Sequence, residues 1–108
     1  MVKFDKFLKT LKKCIVDLAK NTLSDFKDQA IDDASSFLTD TKDDLNRWTK
    51  LLARGQLTKD EFTFLMKSKK DLFELHALTQ SGVALITIQK FRDAVIDLVV
   101  NTAVDVFL

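Results

Sequence analysis

The chain has 108 residues with no proline, two glycines, one cysteine and one histidine, and its 17 basic and 16 acidic side chains nearly cancel. That balance argues against a nucleic-acid binder, which gathers a basic excess on one face. So few turn formers argue for one domain made of a few long helices.

The chain begins with Lys3, Asp5, Lys6 and Lys9 spread through its apolar residues, which leaves no uninterrupted apolar core of the kind a signal peptide needs. Cys14 has no second cysteine to pair with, so a reduced, cytoplasmic setting is expected. From residue 2 to residue 54 there is neither glycine nor proline, and apolar side chains recur at steps of three and four. This spacing predicts one helix of about 75 Å at about 1.5 Å per residue.

Within that stretch Phe4, Ile15, Phe26, Phe37 and Trp48 stand eleven residues apart, and a second ladder follows at Phe62, Phe73, Ala84, Val95 and Val106. An eleven-residue interval is three turns of about 3.67 residues, so each ladder keeps to one side of a nearly straight helix. Apolipoprotein-like and desiccation-related amphipathic helices are similar in this period alone. Two polar runs, Asn21 to Asp25 and Thr39 to Asp44, read as kinks, because a reversal usually brings glycine or proline with it. Thr41 and Asp44 have the spacing of a weak capping box.

The turn at residues 55–57 is the best-specified local feature. Gly55 suits a left-handed helix end, Thr58 and Glu61 suit a capping box, and Leu57 and Phe62 suit a staple across it. A second helix is therefore expected over residues 59–81. It continues to about residue 107 if bent at Gly82, and a break there would give three helices. The ladder's phase runs through Gly82, which favours continuity.

Matched lengths and one short turn imply a long antiparallel hairpin, an all-α fold. With Gln56 at the tip, residue i faces residue 112 − i, which places Asp44 near Lys69 and Lys70, Asp33 near Gln80, and Trp48 and Phe62 together near the tip. The last helix carries polar residues on a narrow line, Lys90, Asp93, Asp97, Asn101 and Asp105, and is apolar elsewhere. One partner helix cannot cover such a circumference. Hence the hairpin is expected to self-associate, as a dimer forming a four-helix bundle, with Phe91, Val95, Leu98, Val99, Val106 and Phe107 at the interaction surface.

No catalytic, cofactor or metal site emerges. Asp28, Asp32 and Asp33, then Asp40, Asp43 and Asp44, lack the glycine of a calcium loop. His76 has only Glu74 nearby in sequence and no recognisable catalytic partner, and Cys14, between apolar residues and two lysines, reads as a packing residue. Residues 1–20 carry six lysines against two aspartates, while 21–47 carry seven aspartates against three basic residues, read first as solvated helical faces. The expected function is a non-enzymatic structural or protein-interaction module. The alternatives are a peripheral lipid-surface binder using residues 1–20 as a basic, aromatic-bearing arm, and a small inhibitor or immunity-type partner of a larger protein.

Overall fold

A computed structural model describes residues 2–70 and 73–108, and these form helices joined by short connections. The helices are α1 (Val2–Thr22), α2 (Lys27–Ala53), α3 (Lys59–Ser68), α4 (His76–Gln80) and α5 (Leu85–Phe107), with a single 3-10 turn at Ser24–Phe26 between the first two. The molecule measures 43 × 24 × 20 Å. Its long dimension matches α2, whose 27 residues span about 40 Å.

The sequence expectation of one helix over 2–54 is corrected at Leu23. There the chain reverses without glycine or proline: Leu23 leaves the helix at φ −137°, ψ 52°, and Phe26 does so at φ −127°, ψ 25°. Burial of the Leu23 side chain anchors the corner. Thr22 donates its hydroxyl to the Leu18 carbonyl at 2.6 Å, and Ser24 and Asp25 are residue types that favour helix ends over interiors. The polar run from Thr39 to Asp44, by contrast, lies within α2 without a break. Thr41 there donates to the Phe37 carbonyl instead of capping a new helix.

At the tip the expected helix end and capping box are present. Gly55 sits at φ 73°, and Gly55 and Gln56 donate their amides to the Leu52 and Leu51 carbonyls, the paired bonds of a Schellman end. Thr58 and Glu61 then form the reciprocal capping box. Gly82 repeats the device at φ 80°, with Gly82 and Val83 donating to Thr79 and Leu78. It therefore ends α4, and the second ladder's phase does not signal a continuous helix.

The segment expected to be helical over 59–81 is interrupted after α3. Residues 71 and 72 lie outside the described ones. Beyond them residues 73–75 are not helical, and they bury Phe73 and Leu75 while leaving Glu74 exposed. Phe73 stacks on Phe37 with ring centroids 4.3 Å apart. A helix would turn Phe73 and Leu75 to opposite sides, whereas the non-helical path buries both.

Two layers result. α1 lies antiparallel to α5, with Phe7 edge-on to Phe107 at 5.6 Å, and α2 lies antiparallel to the α3–α4 segment, with Lys69 on Asp44 at 2.8 Å. The chain doubles over at Leu23 and Gly82, so that α1 packs on α2 and α3 packs on α5. The core runs between the layers from Phe7, Leu11 and Ile15 through Leu45 and Leu52 to Phe62, Met66, Val95 and Val99.

This doubling corrects the argument for a second chain. α5 is covered by α1, α2 and α3 of its own molecule. Phe91, Val95, Val99 and Phe107, expected at an interaction surface, are core residues, and Leu98 and Val106 are half-buried against the same cluster. The surplus of apolar side chains is real, but the folded-over hairpin hides most of it.

Candidate functional site

The polar groups that sequence reasoning singled out fall into three places. Asp33, buried on α2, accepts hydrogen bonds from the backbone amides of Ala77 at 3.0 Å and Leu78 at 2.9 Å. These are open donors of α4, whose N-cap residue Leu75 has no capping side chain. Asp33 thus supplies from another helix the acceptor that a local cap would provide. The expected neighbour, Gln80, lies at the far end of the same short helix.

Asp44 accepts from Lys69 and from Arg47, both at 2.8 Å. The hydrogen bond from Lys69 and the positive charges of Lys69 and Arg47 hold its carboxyl below the usual aspartate range, although partial burial opposes them. Lys70, the other expected partner, turns to Asp93 of α5 at 2.7 Å. The cations of Arg47 and Lys69, both held by Asp44, lie 5.9 and 5.7 Å from the centre of the Trp48 ring. Trp48 and Phe62 are both buried.

His76 pairs with Glu74 at the mouth of a cleft that also contains Ser36, Asp40 and Lys69. Among the described residues the ring's hydrogen-bond partner is Glu74, not Ser36. Among the described residues no three His, Cys, Asp or Glu side chains are placed to hold a metal ion, and the acidic runs of α2 do not converge. Cys14 is half-buried.

The basic arm divides its two chemistries between opposite faces. Phe4 and Phe7 are in the core, while Lys3, Lys6, Lys9, Lys12 and Lys13 are exposed. Its aromatic side chains are therefore not presented with its charge. Among the described residues no helix is long and apolar enough to cross a membrane.

What the outer surface does present is apolar side chains that the fold leaves in water. Phe64 is 73% exposed on the outer face of α3. It shares a shallow notch with Leu57, Leu65, Asp60 and Glu61. Leu85 and Ile86, 69% and 64% exposed, form a second patch at the start of α5. Sequence reasoning placed the sticky surface on α5 and passed over Phe64. The signal was available, because Phe62 and Phe64 are two residues apart on a helix and cannot share its buried stripe. No family model, curated protein or solved structure matches the chain significantly.

Proposed function

We propose that this chain is a non-enzymatic helical interaction module that works in reduced, cytoplasmic surroundings by binding protein surfaces, copies of itself included. The observation that carries the reading is Phe64, the most exposed of the described large apolar side chains, held outward beside Leu57 and Leu65. A large apolar side chain kept in water forgoes about 1.5–3 kcal/mol relative to burial, and an aromatic in an apolar notch with a charged rim resembles the anchors of protein interfaces. The half-exposed seam of α3 would then act as a single-helix docking face.

Sedimentation of the wild type and a Phe64→Ser variant across the micromolar range tests this. The wild type is expected to associate with rising concentration. The variant, kept native throughout, should lose this concentration-dependent association with unchanged helicity and melting temperature, since the side chain it loses is outside the core. Equal behaviour of the two, with no association in either, would remove the reading.

A further inference from the structure

The two connections that join the layers lie side by side, since residues 22–26 and 82–84 line one surface cleft. The bundle therefore doubles over about a single double hinge at one end. Pairing within the layers also follows one register throughout. Phe7 meets Phe107, Phe37 meets Phe73, Asp44 meets Lys69 and Asp33 meets Leu78, position numbers that total between 110 and 114 where a hairpin centred on Gln56 requires 112. The register of one long hairpin thus persists on both sides of the hinge.

The ladder of eleven persists across it too. Ile15, Phe26 and Phe37 keep their interval through the reversal at Leu23, and Phe73, Ala84 and Val95 keep it across Gly82. In the doubled-over chain the helix axis reverses at these points, so constant phase across them serves no packing purpose. Phe26 is only half-buried there and Ala84 is exposed. Constant phase matters only when the helix runs straight. Nothing in Leu23-Ser24-Asp25-Phe26 forbids a helix, and Gly82, which takes φ 80° here, can adopt helical φ equally well and resists a helix only through the backbone entropy it loses there.

We propose that the double hinge opens as a unit and that two opened copies exchange layers, forming a domain-swapped dimer. In it α1 joins α2, and α4 joins α5, as continuous helices. The pairs within each layer stay as they are, and the surfaces between layers are made again, contact for contact, with the second copy. The swap goes beyond the docking face on α3, because it uses buried surfaces and does not need Phe64.

The experiment refolds the full chain from denaturant at low and high concentration, in the wild type and in the Phe64→Ser background. Dimers are then isolated by gel filtration and their length is measured by X-ray scattering. A dimer that persists on dilution is expected, about 75 Å long at about 1.5 Å per residue, against 43 Å for the monomer. Two hinge variants push in opposite directions. Gly82→Ala meets open space but strains the closed turn at φ +80°, and should raise the dimer fraction at least about fivefold. Leu85→Pro replaces an exposed side chain at the first position of α5, where proline is tolerated, yet it blocks a helix continuous through the hinge. It should leave the monomer folded and abolish the dimer. A dimer equally abundant in Leu85→Pro, or none in wild type and Gly82→Ala alike after refolding at high concentration, would overturn the proposal. An elongated dimer retained by Phe64→Ser would support it even if the α3 face proved idle.

Discussion

Asp33 shows how one side chain can fix the position of an element. α4 has five residues, too few to be stable alone, and its open amides are satisfied from α2 by both carboxylate oxygens. Removing that acceptor leaves two partly buried donors without partners. Asp33→Ala is therefore expected to cost about 2–3 kcal/mol, and Asp33→Asn about half as much because one acceptor oxygen remains; urea midpoints would measure both. Asp44 makes a different prediction. Its folded carboxyl is held below the ordinary value of 3.8, so its contribution is present above that value and is lost as pH falls through the lower, folded one. Lys69→Met should flatten the acid limb of a stability–pH curve below about pH 4. At neutral pH it should cost no more than about 1 kcal/mol, as is usual for partly exposed pairs.

At the scale of elements, the clearest signals in the sequence were those with their own local chemistry. The Gly55 helix end and the Thr58–Glu61 box could be read directly, because each is completed within a few residues. Thr58→Ala should lower stability by about 1 kcal/mol, seen as a lower melting temperature with the fold retained. The hairpin register was also legible, since apolar and charged positions recur symmetrically about Gln56. The reversal at Leu23 was not. It depends on a leucine finding a buried corner between helices, which no local residue announces, and the polar run that marks it resembles Thr39–Asp44, which stays helical. Likewise the non-helical stretch at Phe73–Leu75 places Phe73 on Phe37 of α2, a partner far away in sequence. Phe73→Ala would lose that stacked contact at an expected cost of about 3–5 kcal/mol, measurable by denaturant unfolding.

For the whole molecule, doubling over decides what the apolar surplus means. Read as a hairpin, α5 is a surface in need of another chain; folded, it is the inner wall of a four-segment bundle. Val95 and Val99 are fully buried there. A charge at either site has no partner and should cost more than about 4 kcal/mol, a large share of the roughly 5–15 kcal/mol that holds a domain together. Val95→Asp/Val99→Asp is expected to lose its helical circular dichroism rather than remain folded as a separated monomer. The candidate docking face was legible only in part. The two-residue step from Phe62 to Phe64 shows that one of them leaves the buried stripe, and the orientation of α3 shows that it is Phe64.

The single tryptophan, with two cations within 6 Å of its ring near the closed end of the hairpin, gives the molecule an internal optical probe. Its indole emission should be blue-shifted and shielded from neutral quenchers in the native state. Iodide, drawn toward the flanking positive charges, should quench any residual accessible fraction more effectively than caesium. A red shift with loss of that anion preference would report separation of α2 from α3 before the rest of the bundle melts.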